Sequence, residues 1–316
     1  MKKILLIILP LLLIVGFSSG QEPIDGSTLV WKDGLRYAPG SEVPYSGEAV
    51  RHWENGQERS KGTYKDGKEN GFWTLWHMNG QKWIESIYKD GQRTLLYHWD
   101  WYGKILVKDG NGEVTYWWPN GQKSIESIYK DGKENGLETQ WYENGQEMSK
   151  GTYKDGKEHG LATWWYENGQ KLDEITYKDG ELDGKWTEWY ENGQKSIESI
   201  YKDGKENGLE TQWYENGQKW VERTYKNGKE DGLYTEWYEN RQKREEVTYK
   251  DGEINGKRTW WYENGQKAIE ETYKDGEMIS EKCWGIDGNE RECATIELES
   301  PEVWEQLLDD MKSLGF

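Results

Sequence analysis

Apolar and polar residues alternate in short runs along most of this chain, and the runs recur with a fixed period. Gly112, Gly136, Gly160, Gly184, Gly208, Gly232 and Gly256 stand 24 residues apart, and Gly47 and Gly71 show the same step. One unit, Gly160 to Asp183, reads GLATWWYENGQKLDEITYKDGELD. Leu161, Thr163 and Trp165 share one parity, as a strand with one buried face requires. Trp, Tyr and Thr all favour pleated surfaces. Asn168-Gly169 predicts a type I′ hairpin turn, because both central positions of that turn need positive φ. A second strand follows through Ile175, Thr176 and Tyr177, and Asp179-Gly180 turns the chain toward the next unit. Each unit is therefore expected to be a β-hairpin, and no stretch before residue 300 has a 3.6-residue period.

A lone hairpin is marginally stable in water, so the units must stack and bury their Trp165-type rings against one another. The expected fold is all-β: an elongated, single-layer solenoid or rod of stacked antiparallel β-hairpins built from 24-residue repeats. The array spans 47–280, with a shortened unit of 17 residues at 95–111. The segment KSIESIYKDGKENGLETQWYENGQ occurs at 123–146 and again, unchanged, at 195–218, as copying of a block of repeats would leave it. Residues 21–46 keep the KDG turn without the repeat's regularity and read as an N-terminal cap. At 300–316, Trp304, Leu307, Leu308, Met311 and Leu314 form one apolar stripe behind Ser300 and Pro301, which predicts a short capping helix.

Composition sharpens this reading. Only 34% of the 316 residues are hydrophobic, 32% are charged and the net charge is −18, values that alone point toward disorder. The 21 Trp and 21 Tyr contradict that, since each ring can bury a large apolar area. A thin fold with a small, mainly aromatic core reconciles the two. The acidity argues against nucleic acid, which attracts uninterrupted Lys and Arg patches, and favours a partner of basic or neutral character.

The N-terminus, MKKILLIILPLLLIVGFSSG, has the pattern of a secretory signal peptide over residues 1–20: Lys2 and Lys3, an apolar run from Ile4 to Val15, and small Ser18 and Gly20 before Gln21. An exported chain located in the periplasm, in the medium or at the cell surface follows, with no transmembrane segment after cleavage. Cys283 and Cys293 flank CWGIDGNEREC in the terminal hairpin at 281–299, where a turn at Ile-Asp-Gly-Asn brings them opposite each other. In an oxidising compartment they should form a disulfide. Two Cys without nearby His make half a zinc site, and C-x-x-C spacing is absent.

Catalytic and cofactor signatures do not emerge. His52, His77, His98 and His159 fall at different points of the repeat and read as polar strand or turn residues. The glycines sit in turn dipeptides rather than in a phosphate-binding loop. Asp, Glu and Asn in the KDGKENG loops match turn chemistry better than known calcium loops. No metal, no cofactor and no enzymatic activity is expected. The candidate binding residues are Tyr142, Tyr166, Tyr190, Tyr214, Tyr238 and Tyr262, whose parity is opposite to that of the neighbouring Trp. If the Trp row is core, these rings face outward as a ladder able to anchor a protein or stack on sugars. Stabilisation of the sheet by neighbouring rings is the alternative.

The unit G-x-x-x-x-W-Y-E-N-G-Q-K…Y-K-D-G-K-x-x-G resembles the variant class of MORN repeats (membrane occupation and recognition nexus). It is most similar to bacterial proteins described as YwqK-family antitoxins of toxin–antitoxin systems. The segments GLRYAPGSEVPYSGEAV and CWGIDGNEREC share that resemblance, which covers nearly all of residues 29–293. The copy WYENRQK departs from it, with Arg241 in place of the turn glycine. The resemblance implies a rod of stacked hairpins and, at family level, an antitoxin role. The expected function is an exported, non-enzymatic repeat protein that binds another protein, antitoxin- or immunity-like. The alternative is an envelope scaffold that binds cell-envelope glycan.

Overall fold

The computed structural model describes residues 22–274 and 276–293; the expected leader at 1–20 and the expected helix at 300–316 lie outside them. Every regular element among the described residues is a β-strand. None of these residues belongs to a helix long and apolar enough to cross a membrane. The described residues divide into two units, one of residues 22–114 with Ile128–Lys133, the other of Thr115–Ser127 with the described residues from Glu134 onward. In both, successive hairpins pair edge to edge into antiparallel sheet.

The hairpin of Gly160–Trp165 and Lys171–Lys178 shows how the second unit is built. Leu161 lies opposite Thr176, Ala162 opposite Ile175 and Thr163 opposite Glu174, with a register shift between Trp164 and Trp165. Lys171–Lys178 then pairs with Glu181–Trp189 through Tyr177 and Leu182 and through Lys178 and Glu181. The two turn dipeptides exchange the roles expected of them. Asp179 and Gly180 both have positive φ, 53° and 88°, so Asp-Gly forms the tight type I′ turn. In Asn168-Gly169 positive φ belongs to the glycine alone, at 83°. Gly169 N–H donates to the Tyr166 carbonyl at 2.9 Å and Tyr166 N–H donates to the Gln170 carbonyl at 2.8 Å. That is a type I turn closed by a glycine bulge, the usual solution for a longer hairpin loop. Asparagine is needed there for its side chain rather than for positive φ.

The buried face also differs from the parity reading. Thr163 is buried, Trp165 is half-buried and Leu161 is exposed, although all three point the same way. The threonines at the Thr163 position share this burial at Thr139, Thr187, Thr211, Thr235 and Thr259. Each has a lid. Opposite Thr163 stands Glu174, ion-paired to Lys171, and the Lys171 ammonium lies 5.4 Å from the ring centre of Trp189 in the next repeat. Lys195, Glu198 and Trp213 repeat the arrangement, as do Lys219, Glu222 and Trp237. Leu161 lies beyond the reach of that lid. The Trp rings thus cover the sheet in partnership with lysine stems instead of stacking on each other as a core.

On the opposite face one row runs along the sheet, and its neighbours complement one another. Ala162, Ile175, Trp186 and Ser199 follow in register, as do Tyr234, Val247, Arg258 and Glu271. The bulky Ile175 and Trp186 are flanked by the small Ala162 and Ser199, and the Arg258 cation stands beside Glu271. Glu210 is buried and bonded by Arg223 at 2.8 Å, and Arg258 Nε reaches Glu245 Oε1 at 2.7 Å. Burial raises the Glu245 pKa while Arg258 opposes the rise.

The first unit has the more aromatic core. Leu29, Tyr45, Ala49, Tyr64 and Trp73 pack together, with Tyr64 edge-on to Trp73 at 5.2 Å. Gly62 makes room, because a Cβ there would stand 2.0 Å from Trp73 Cδ2. Ile24–Asp25 joins this sheet in parallel with Ala49 and Val50, and Val30–Lys32 forms a hairpin with Leu35–Tyr37. A second cluster joins Ile84, Leu95, Val107 and Val114 around the shortened repeat.

Candidate functional site

The phrase WYENGQ builds a column of turns in which each turn grips the next. Asn168 Oδ1 accepts from Gln170 N–H at 2.9 Å inside its own turn. Its Nδ2 donates to the carbonyl of Glu191 in the next turn at 3.3 Å. Asn144, Asn192, Asn240 and Asn264 make the same reach to Glu167, Glu215, Glu263 and Ile286. In the first unit Asn55 and Asn79 do so to Met78 and Trp101.

All six candidate tyrosines belong to this column. Tyr142 Oη donates to the Trp165 carbonyl at 2.7 Å, Tyr166 to Trp189 at 2.8 Å and Tyr190 to Trp213 at 2.7 Å. Tyr214 donates to Trp237 at 2.8 Å, Tyr238 to Trp261 at 2.9 Å and Tyr262 to Trp284 at 3.0 Å. Trp118 fills the position with an indole N–H, 2.9 Å from the Trp141 carbonyl. Burial pushes the hydroxyl pKa of Tyr142, Tyr166, Tyr190, Tyr238 and Tyr262 upward, so each stays a donor. The tyrosines form the expected ladder with half-buried rings, and their hydroxyls are engaged between repeats.

Arg241 occupies the turn-glycine position and keeps its geometry, with φ at 71° and its N–H 2.9 Å from the Tyr238 carbonyl. A Cβ in the neighbouring turns would crowd the preceding repeat's glutamine, at 2.4 Å for Gly193 against Gln170 and 1.9 Å for Gly217 against Gln194. Arg241 carries such a Cβ. In the repeat before it, Gln218 Oε1 is buried without a hydrogen-bond partner, and Asn216 holds only its intra-turn bond to Gln218 N–H, at 2.9 Å.

The surface the sequence did not disclose is a row of exposed aliphatic side chains on the sheet face of the second unit. Leu137, Leu161, Ile200, Leu209 and Leu233 are 42–53% exposed. Their cross-strand neighbours are Thr152, Thr176, Lys185, Thr224 and Thr248. The row is therefore aliphatic and hydroxyl-bearing, with one lysine stem in it. Strand parity could not distinguish these leucines from core, because they share parity with the buried threonines.

Histidines take structural places. His98 is buried, its Nε2 accepts from Trp83 Nε1–H at 3.0 Å, and burial lowers its pKa to about 4. The His77 ring stands 5.5 Å from Trp83 and 5.1 Å from Trp101. His159 Nδ1 lies 3.5 Å from Asp179, and His52 is exposed. Cys283 and Cys293 form the expected disulfide. Glu281 lies beside the sulfurs, which are already committed to each other. The turn they staple repeats the array's own, with Gly288 N–H donating to Gly285 at 2.8 Å and Asp287 accepting from Asn289 N–H at 3.1 Å.

No curated protein matches the chain. Among solved structures it resembles, weakly, the crystal structure of TcdB2-TccC3, at 11% identity and a TM-score of 0.19. The crystal structure of TcdB2-TccC3-Cdc42 matches at 10% identity and a TM-score of 0.19. These alignments cover 79% of this chain and 16% of the other, so this chain spans a small part of the length of those it matches. The family model for the MORN repeat variant matches residues 111–131, 134–155, 158–179, 182–203, 206–227, 230–251 and 254–275. The chain carries seven MORN repeat variants across residues 111–275.

Proposed function

We propose that this is an exported, non-enzymatic repeat protein that binds another protein through the exposed Leu137–Leu233 row, in the manner of an antitoxin or immunity protein. The exposure of that aliphatic row is the observation that carries the reading. Soluble proteins rarely leave contiguous apolar surface uncovered unless a partner uses it. The net charge of −18 favours a partner whose rim is basic. The leader-like N-terminus and the disulfide support export to an oxidising compartment. The similarity of the repeat to YwqK-family antitoxins supports the partner class.

The test compares residues 21–316 with the triple variant Leu161→Asp, Leu209→Asp, Leu233→Asp in pull-downs from whole-cell and envelope lysates, identifying bound proteins and glycans. All three positions are exposed, so the variant should keep the wild-type circular dichroism. The proposal expects one stoichiometric protein that the folded variant fails to hold. A protein retained equally by both, or cell-wall polysaccharide retained through a salt wash, would sink it.

A further inference from the structure

In the second unit the sequence Glu-Asn-Gly-Gln occurs at 143–146, 167–170, 191–194, 215–218 and 263–266. Asn-Gly is chemically labile, because the unhindered glycine nitrogen can attack the asparagine carboxamide. The intrinsic rate is set by the flanking residues, which here are the same in all five copies. Any difference in rate within the folded chain must come from how each side chain is held. Asn144, Asn168, Asn192 and Asn264 are held at both ends: Oδ1 by the glutamine N–H of the same turn, Nδ2 by a carbonyl of the next. Asn216 has the first bond and lacks the second, and the turn opposite it is the one that carries Arg241. All five asparagines are exposed, and all five glycine nitrogens donate to the carbonyl at the start of their own turn. Neither solvent access nor the attacking group distinguishes them.

We propose that Asn216 is the covalent weak point of the array, deamidating ahead of its four equivalents. The Gly217 nitrogen attacks Asn216 Cγ and the new C–N bond closes a succinimide. The Cγ–Nδ2 bond breaks, and ammonia leaves with the proton that Gly217 gave up. Water then opens the ring at either carbonyl, to aspartate or to isoaspartate. Attack requires the carboxamide to swing away from its anchors. A turn with one anchor in place of two does this more often, by the weight of about one hydrogen bond, which corresponds to about a fivefold faster rate. Either product lacks the Nδ2 donor, and isoaspartate lengthens the backbone of the turn.

The experiment ages the folded full-length chain at neutral pH and follows each Asn-Gly pair by peptide mapping, with fragmentation that separates aspartate from isoaspartate. Asn216 is expected to convert about fivefold faster than Asn192 in the folded protein, and all five at one rate in denaturant. Arg241→Gly should slow Asn216 to the common folded rate, and Gly193→Arg should accelerate Asn168, whose rung lands on that turn. Equal rates for Asn216 and Asn192 in the folded chain would overturn the proposal. So would an Asn216 rate that Arg241→Gly leaves unchanged.

Discussion

Replacing Arg241 with glycine should stabilise the repeat that contains it. The left-handed backbone at φ 71° costs an L-residue about 1–2 kcal/mol relative to its ordinary conformations. Glycine removes that cost but gives back about 0.5–1 kcal/mol through the greater freedom of the unfolded chain. Two further gains are local. Gln218 Oε1 is buried without a partner, and Asn216 lacks the rung its equivalents make. Restoring one such bond is worth about 0.5–1.5 kcal/mol. The sum is a net gain of about 1–2 kcal/mol. In a stacked array stability resides in single repeats and their interfaces, so two measurements are needed. One is the guanidinium midpoint at constant slope. The other is native-state hydrogen exchange of amides in Gly232–Trp237 and Lys243–Lys250. Slower exchange in these strands with little change in Glu147–Lys154 is the expected outcome. A neutral or destabilising Arg241→Gly would refute the reasoning, since it would mean that the arginine side chain repays its backbone strain through contacts of its own.

Other predictions follow from the same geometry. Tyr190→Phe removes the hydroxyl bond to Trp213 while keeping the ring, and should cost about 1 kcal/mol in chemical denaturation. Arg223→Ala leaves the buried Glu210 carboxylate without its cation and should cost about 3–5 kcal/mol, whereas an exposed pair such as Lys61 with Glu48 should cost under about 1 kcal/mol when broken. His98 binds no proton in the fold until pH falls to about 4, against an ordinary value of 6.5, so its contribution is complete above that ordinary value and is lost as pH drops through this window. The loss amounts to about 3 kcal/mol. It should appear as a fall in urea midpoint between neutral pH and pH 4 that His98→Gln reduces. Reducing the Cys283–Cys293 bond should free the terminal hairpin at a cost of about 2–3 kcal/mol, read as faster exchange in Glu277–Trp284.

Much of the fold was legible because it is encoded locally. Asp-Gly and Asn-Gly mark the turns, the Trp and Thr between them mark strands, and the 24-residue step of the glycines marks the repeat. The disulfide was legible from its two cysteines and the turn between them. The type of each turn was not. Asn168-Gly169 and Asp179-Gly180 are equally good type I′ dipeptides, and only the register of the strands beside them decides which loop has two residues. The candidate site was half legible: the tyrosines do form a ladder, but a parity argument cannot show that each hydroxyl ends on a carbonyl 23 residues away or, from Tyr262, 22. His98 was missed because nothing in HWDW announces that the imidazole turns inward toward Trp83.

What the sequence determined by itself is the unit and its punctuation, since turn chemistry and strand propensity act between residues a few positions apart. The tertiary structure decided which positions on each side of a strand are covered. Both parities of Gly160–Trp165 carry side chains that could be buried, Leu161 and Thr163 on one side, Ala162 and Trp164 on the other. The choice rests on contacts between repeats: Lys171 reaching Trp189 shields Thr163 and leaves Leu161 in water. Burial is a property of neighbours in space, and the neighbours of each strand belong to the next turn of the repeat.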